Sequence, residues 1–199
     1  KFGLYEDLSV IENLNLHADL RGVIGKEREE TFDRLLEFTD LKRFTKRYAG
    51  KLSGGMKQKL GLACSLLGNP KLLLLDEPGV GVDPISRKEL WGMVGDLVKQ
   101  GIAVVWSTAY LDEAELCDTT IVLNEGKVLF TGTPKEIVAP LENRCYHLRN
   151  LTAGKRRLLT RALSRPEVTD GTIQGHNLRL IFREGTEPFG PEQIGAGKD

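Results

Sequence analysis

Two short apolar runs stand out in the middle of the chain. The first is Leu72 to Leu75, directly before Asp76, and the second is Ile102 to Ser107. Short continuous runs without alternation are typical of parallel strands that are buried on both faces. The pattern therefore predicts two buried strands of a parallel sheet.

The segments around these runs indicate helices. Ser9 and Glu12 have the spacing of a capping box, so a helix is expected from Ser9 onward. Further helices are predicted over residues 26–38, from Ser53 to Gly68, and from Asp83-Pro84 to about Gln100. Shorter helical segments are expected at 41–48, at Asp112 and at Thr133-Pro134, with a hairpin over 121–130. Alternating strands and helices predict an α/β domain with a largely parallel sheet, preceded by a mostly helical part.

The pattern changes after about residue 140. A strand is expected at 145–149, a basic helix at 154–163 and a hairpin at 172–182 around Gly175. The last residues are rich in Gly, Pro and Glu, which indicates a linker. This part is predicted to be a small α+β unit.

Composition and charge restrict the class of protein. The 199 residues contain 28 Lys and Arg and 28 Asp and Glu, so the formal charge is zero and no strongly basic nucleic-acid binder is indicated. The three cysteines have no CxxC spacing, which argues against a zinc site or a disulfide framework. No apolar run approaches the roughly 20 residues of a membrane span. We expect a cytosolic protein that reaches a membrane only through a partner.

Asp76 and Glu77 are the first candidates for chemistry. An apolar strand that ends in two acids places carboxylates at the carboxyl edge of a parallel sheet, where α/β folds bind ligands. In nucleotide hydrolases one such acid helps to hold Mg²⁺ and a neighbouring carboxylate polarises the attacking water. The alternative is a strand that ends in an ordinary charged turn.

Ser53, Gly54 and Gly55 are the second candidates. Two glycines after a serine at a helix start leave backbone N–H groups unshielded, with the positive end of the helix dipole behind them. Such a site suits a phosphate. The alternative is an ordinary serine cap after a flexible loop.

These segments together resemble the nucleotide-binding domain of ABC transporters. Leu52 to Met56 resembles the ABC signature, Leu72 to Glu77 the Walker B motif with its catalytic glutamate, and Gly81 to Asp83 the D-loop. Residues 106–114 resemble the H-loop region, and the order of motifs matches from Phe2 to about Ile137. The implied fold is a partial P-loop NTPase-like ABC ATPase. Its parts would be a helical subdomain (1–50), an ATPase core (51–140), and a connector and linker (141–199).

The resemblance also implies roles for single residues. Asp76 would bind Mg²⁺ and contribute to ATP binding, Glu77 would activate water, and Asp83 would couple two ATP sites. Ser53, Gly54 and Gly55 would contact ATP held by a partner half, because in ABC dimers one half's signature completes the other half's site. The implied cofactors are ATP and Mg²⁺.

Three departures from the family pattern qualify this expectation. The chain has no G-x-x-x-x-G-K-[ST] phosphate loop, and it starts at Lys1 without Met, so we expect a fragment that lacks this loop and the Q-loop glutamine. The isolated fragment is then expected to be inactive. Ala109 occupies the position of the switch histidine, and Met56 replaces a frequent glutamine. We expect a slow or degenerate site rather than a dead one, since Glu77 is present.

A narrower resemblance is to the first ATP-binding half of bacterial tandem-domain exporters. It implies an ATP-hydrolysing subunit of an efflux system, peripheral to the inner membrane. The implied partners are a second ABC ATPase domain, in the same polypeptide, and membrane permease subunits, with no nucleic acid. Two alternatives remain: a soluble tandem ABC protein that acts on ribosomes or nucleic acid, and a non-hydrolysing half that supplies only Ser53 to Gly55 and an interaction surface.

Overall fold

The computed structural model describes residues 3–149, 151 and 154–195. The chain divides into two compact units, and the boundary lies between Leu111 and Asp112. The predicted division into helical subdomain, core and connector stays a prediction. Within the described residues, none of the helices has the length and apolar character needed to cross a membrane.

The first unit begins with helices. They are α1 (Val10–Leu20), α2 (Gly25–Phe38) and α3 (Gly54–Leu66), with short 3-10 turns at Lys42–Phe44 and Ala49–Lys51. The predicted capping box is confirmed: the Ser9 side chain accepts from the Glu12 N–H, and the Glu12 carboxylate accepts from the Ser9 N–H at 2.7 Å. Helix α1 therefore begins where the sequence pattern predicts.

Two strands and a long helix complete this unit. Strand β1 (Leu72–Leu75) pairs in parallel with β2 (Ala103–Trp106), and α4 (Pro84–Lys99) connects them. The α/β class and the parallel pairing are confirmed. The register sets Leu75 opposite Trp106, so both strands end at the same edge.

The predicted burial of these strands on both faces is wrong within the described chain. Leu73 is 3% exposed and packs into the core, whereas Leu72, Leu74 and Val105 are 50%, 72% and 57% exposed. Side chains alternate between the faces of a strand, and the helices of this unit cover only the face that carries Leu73.

The core of the first unit joins the helices to the covered face of the sheet. Its members include Leu14, Leu36, Leu60, Leu73, Leu90 and Val94. Cys64 belongs to the same core, and burial raises the pKa of its thiol to about 12. This cysteine is therefore a packing residue, protonated at neutral pH.

The second unit contains helices and antiparallel strands. The short helix α5 (Leu111–Ala114) spans the boundary; a hairpin of β3 (Thr120–Asn124) and β4 (Lys127–Gly132) and the helix α6 (Pro134–Val138) follow. Then come β5 (Cys145–Leu148), α7 (Lys155–Leu163), β6 (Val168–Gln174) and β7 (Asn177–Phe182). The last three strands form an antiparallel sheet in the order β5-β7-β6. The expected hairpin around Gly175 is confirmed.

The final segment differs from a simple linker. Phe189 and Ile194 are 8% and 3% exposed and lie in the same core as Leu178, Leu180 and Phe182. A 3-10 turn covers Pro191–Ile194. The two apolar side chains anchor this Gly- and Pro-rich segment, so the described residues up to 195 belong to the folded unit.

Candidate functional site

Asp76 and Ser107 are the residues that follow the two parallel strands. The register that pairs Leu75 with Trp106 brings them to the same sheet edge. The Ser107 N–H donates to the Leu75 carbonyl at 2.9 Å, which extends the parallel ladder by one residue. The structure thus places the predicted acids at the carboxyl edge of the sheet.

The Ser107 hydroxyl connects both acids. It donates to Asp76 Oδ1 at 2.6 Å and accepts from the Glu77 backbone N–H at 2.8 Å. In the sequence, Ser107 stands out only as part of the segment that resembles the H-loop region, and that resemblance implies no role for it. Its signal in the sequence is its position, directly after the second apolar run.

Glu77 has an unusual backbone conformation. Its φ is 45°, in the left-handed region that non-glycine residues adopt at a cost of about 1–2 kcal/mol. A turn follows, in which the Val80 N–H donates to the Glu77 carbonyl at 3.1 Å. Strained residues of this kind concentrate at functional sites. The side chains of Asp76 and Glu77 are exposed and accessible to a ligand.

The donor chemistry at this edge fits Mg²⁺. This ion prefers oxygen ligands and is commonly held by one or two carboxylates together with phosphate oxygens and water. Asp76 offers such a carboxylate, already oriented by Ser107. Among the described residues there is no group of three or more His, Cys, Asp or Glu that would enclose a metal. Asp76 alone fits an ion whose other ligands come from nucleotide and solvent.

Ser53 is the N-cap of α3. Its hydroxyl accepts from the Met56 N–H at 3.2 Å. Ser53 is exposed, Gly54 is half-buried and Gly55 is buried, so this 13-residue helix, with the positive end of its dipole, reaches the surface at Ser53 and Gly54. The arrangement agrees with both earlier interpretations, a helix cap and a phosphate contact.

The two glycines have a second role, in packing. A Cβ atom at Gly54 would lie 2.6 Å from the carbonyl oxygen of Gly81, and one at Gly55 would lie 2.5 Å from Ser86 Cβ and Oγ. The start of α3 thus packs tightly against the turn after Glu77 and the first turn of α4. Local sequence patterns do not predict this contact, because it joins segments about 30 residues apart.

Asp83 caps α4. Its Oδ1 accepts from the N–H groups of Ile85 and Ser86 at 3.1 and 2.9 Å. Hydrogen bonds lower the pKa of the Asp83 carboxyl, and those from Ser86 have the largest effect. The structure therefore assigns Asp83 a capping role, while its predicted role in coupling two ATP sites stays a prediction.

Ala109 lies two residues beyond Ser107 and is exposed. The neighbouring backbone is ordered by the Tyr110 N–H, which donates to Thr108 Oγ1 at 3.0 Å. The Arg87 guanidinium lies 4.7 Å from the centre of the Tyr110 ring. A methyl group cannot donate a hydrogen bond, so this position contributes no donor to the site.

Comparison with known proteins identifies the family. The sequence model of the ABC transporter family matches residues 1–80 of this chain. The chain is 59% identical over 188 residues to the probable multidrug ABC transporter ATP-binding protein YbhF of Escherichia coli (strain K12). The matched region covers 94% of this chain and 32% of that protein. The Shigella flexneri protein of the same name matches equally well. The chain belongs to the ABC transporter ATP-binding family.

Solved structures agree. The cbiO1 protein of Clostridium perfringens, described as part of the ABC transporter complex cbiONQ, superimposes with a TM-score of 0.62 at 30% identity. The match covers 69% of this chain and 55% of that one. These similarities confirm the partial P-loop NTPase-like ABC ATPase fold. The chain spans about a third of the length of the YbhF proteins that it resembles.

Proposed function

We propose that this chain is part of the ATP-binding subunit of an ABC-type exporter that couples ATP hydrolysis to transport by membrane permease subunits. The observation that carries the proposal is the arrangement of Asp76 and Glu77 around the Ser107 hydroxyl at the sheet edge. The YbhF proteins support an efflux role, since their name describes a probable multidrug transporter.

In this proposal each acid has a separate task. Asp76 binds Mg²⁺, which would neutralise charge on the transferred phosphoryl group. Glu77 accepts a hydrogen bond from the attacking water and orients it. The exposed position of both side chains gives access to nucleotide and water.

The signature residues serve a second ATP molecule. Ser53 and the N–H groups of Gly54 and Gly55 would contact phosphate held by a partner ABC domain. Asp83, at the start of α4, would link the two sites, because the turn that precedes it packs on Gly54. The partner domain would belong to the same polypeptide, in keeping with the third of YbhF that this chain spans.

The location follows from this assembly. An ATPase subunit that acts on permease subunits would lie at the cytoplasmic face of the inner membrane. The alternative of a tandem ABC protein that acts on ribosomes or nucleic acid gains no support from the matched relatives, whose names describe transporters. The connector role of residues 141–199 is part of the same proposal.

The test uses the full-length polypeptide that contains this segment. Glu77→Gln keeps the size of the side chain but removes the base. We expect the part of ATP turnover that arises at this site to fall about 100-fold or more while ATP binding remains. Glu89→Gln is the matched control, because Glu89 is an exposed carboxylate on α4 that pairs with Lys59. No ATPase activity in the wild-type complex contradicts the proposal.

A second variant, Ser53→Arg, tests the alternative of a half that does not hydrolyse ATP itself. Ala109 favours a half that does not hydrolyse at its own Walker B, because it lacks the donor of the switch histidine. In that case Glu77→Gln leaves turnover unchanged while Ser53→Arg abolishes it. Loss of activity in both variants supports hydrolysis at both sites. Unchanged turnover in Ser53→Arg contradicts the role of the signature.

Calorimetry of Mg-ATP binding tests where the phosphate site lies. Residues 1–199 alone are expected to bind ATP weakly or not at all, because they contain no phosphate loop. The full-length protein is expected to bind it. Tight binding by residues 1–199 alone would contradict this placement of the phosphate site.

A further inference from the structure

We infer that Ser107 is a positioning residue that holds the magnesium-binding acid and the water-activating acid in a fixed relation to each other. The inference rests on the function proposed above and goes further, because it assigns a role to a side chain outside the acids. Ser107 reaches both acids from the neighbouring strand.

The Ser107 hydroxyl both donates and accepts a hydrogen bond. A hydroxyl has one hydrogen to donate, and this one goes to Asp76 Oδ1. One of its lone pairs accepts the Glu77 N–H. The backbone of Ser107 is fixed in turn, because its N–H donates to Leu75. The hydroxyl therefore has a defined position relative to the sheet.

Asp76 depends on this contact for its orientation. Its side chain is exposed, so little packing restricts its rotation. The 2.6 Å separation from Ser107 Oγ is typical of a hydroxyl that donates to a charged carboxylate, a stronger bond than one between neutral groups. With one oxygen engaged, the other oxygen has a preferred direction toward a metal ion. Groups that orient metal ligands in this way affect metal affinity.

Glu77 depends on the same hydroxyl through its backbone. The left-handed conformation sets the direction in which the side chain leaves the sheet edge. The hydrogen bond from its N–H to Ser107 Oγ stabilises that conformation. Loss of the hydroxyl would free both acids at once, although neither acid is changed.

If Ser107 had a purely structural role and only connected two strand ends, the results would differ. Ser107→Ala would then have a lower melting temperature but an unchanged affinity for a metal ion. Thr at this position retains the hydroxyl, and its extra methyl group suits an exposed strand end. Ser107→Thr should therefore restore metal affinity and turnover if positioning is the role.

The experiment compares Ser107→Ala, Ser107→Thr and the control Ser65→Ala in the full-length protein. The Ser65 hydroxyl donates to the Gly61 carbonyl within α3 and touches neither acid. Mn²⁺ replaces Mg²⁺, and its affinity is measured by electron paramagnetic resonance with saturating AMP-PNP. Turnover is measured in parallel, with Glu77→Gln to define the part of the rate that depends on this site.

For Ser107→Ala we expect Mn²⁺ affinity and the Glu77-dependent rate to fall about 10- to 100-fold. Ser107→Thr should lie within about threefold of wild type, as should Ser65→Ala. Unchanged Mn²⁺ affinity in Ser107→Ala, with normal wild-type binding, overturns the inference and leaves the proposed function standing. A wild-type protein that binds no Mn²⁺ with nucleotide overturns the proposed function and the inference with it.

Discussion

The carbonyl oxygen of Gly81 lies against the bare α-carbon of Gly54. A Cβ atom built at Gly54 would be only 2.6 Å from that oxygen, closer than side chains approach backbone oxygens. Gly81 belongs to the turn that follows Glu77, and Gly54 begins α3. The segment proposed to serve the partner's ATP and the segment after this chain's own acids are therefore in direct contact.

Gly54→Ala and Gly55→Ala should each destabilise the intact protein by about 1–3 kcal/mol, because the new methyl group forces neighbouring atoms apart. For Gly54→Ala we expect ATP turnover to fall as well, since the turn that the new methyl group displaces begins at Glu77. Chemical denaturation and ATPase assays measure the two effects. Gly92→Ala is the control: Gly92 lies inside α4, and among the described residues no other segment comes within 4 Å of its Cβ position, so alanine should stabilise the helix.

The clash at Gly55 can be relieved by a second substitution. A Cβ atom at Gly55 meets Ser86 Cβ and Oγ at 2.5 Å, and Ser86→Gly removes both atoms. The double variant Gly55→Ala/Ser86→Gly should therefore recover most of the stability lost in Gly55→Ala. Additive losses in a double-mutant cycle would show that Ser86 is not the cause.

Much of the fold follows from local sequence patterns. The run Leu72–Leu75 before Asp76 predicts both the strand and the position of the acid at its end. Ser9 with Glu12, and Asp83 with Pro84, predict the starts of two helices, because capping depends on residues two or three positions apart. These features need no knowledge of distant contacts.

Contacts between distant segments are not visible in such patterns. Ser107 reaches Asp76 across 31 positions, and no local rule selects it among the hydroxyls of the chain. The same holds for Gly54 against Gly81. The exposed side chain of Leu74 is a second example. An apolar run indicates that a strand is suited to burial, but it does not show which part of the chain covers that strand.

Leu74 is expected to behave differently in two contexts. In residues 1–199 alone its side chain is 72% exposed, so Leu74→Ala should change stability by less than about 0.5 kcal/mol. In the full-length protein we expect further residues to cover this sheet face, since parallel sheets are buried on both faces, and the cost should reach about 2–5 kcal/mol.

Leu73→Ala is the control for that comparison. Leu73 is 3% exposed on the covered face, so the substitution should be costly in both proteins. Urea denaturation gives both sets of values. A small effect of Leu74→Ala in the full-length protein would mean that this face stays open to solvent.

The Asp83 cap should make stability depend on pH. Because hydrogen bonds lower its folded-state pKa from the ordinary 3.8, its contribution is fully present above that value and is lost as the pH falls through the lowered pKa. Asp83→Ala should lower the melting temperature of the intact protein by about 2–4 °C at neutral pH. Asp83→Asn retains an oxygen that can cap the helix and should lose less.

The charge on Asp83 can be separated from its capping by comparing Asp83→Asn with wild type across pH. Their difference in melting temperature should be constant above about pH 5 and shrink toward about pH 3. A difference that does not change with pH would contradict the assigned cause of the pKa shift. Loss of ATP turnover in Asp83→Asn, at a temperature where the variant is still folded, would support a coupling role for the carboxylate itself.

Ala109→His should increase ATP turnover. The position lies two residues beyond Ser107 and is exposed, so an imidazole fits there and supplies the donor that a methyl group lacks. Donors aimed at developing charge on a transferred phosphate lower the barrier, and we expect a gain of about tenfold or more if Glu77 is active. Steady-state ATPase assays of the full-length protein measure it.

Ala109→Leu is the control for this gain, because leucine adds comparable bulk without a donor and should leave turnover at or below the wild-type rate. The double variant Ala109→His/Glu77→Gln should lose the gain. A hydrogen-bond donor near the phosphate accelerates hydrolysis at this site only if Glu77 activates the attacking water. A gain that persists without Glu77 would place the added hydrolysis elsewhere. No gain in Ala109→His would mean that the alanine is not what limits this site.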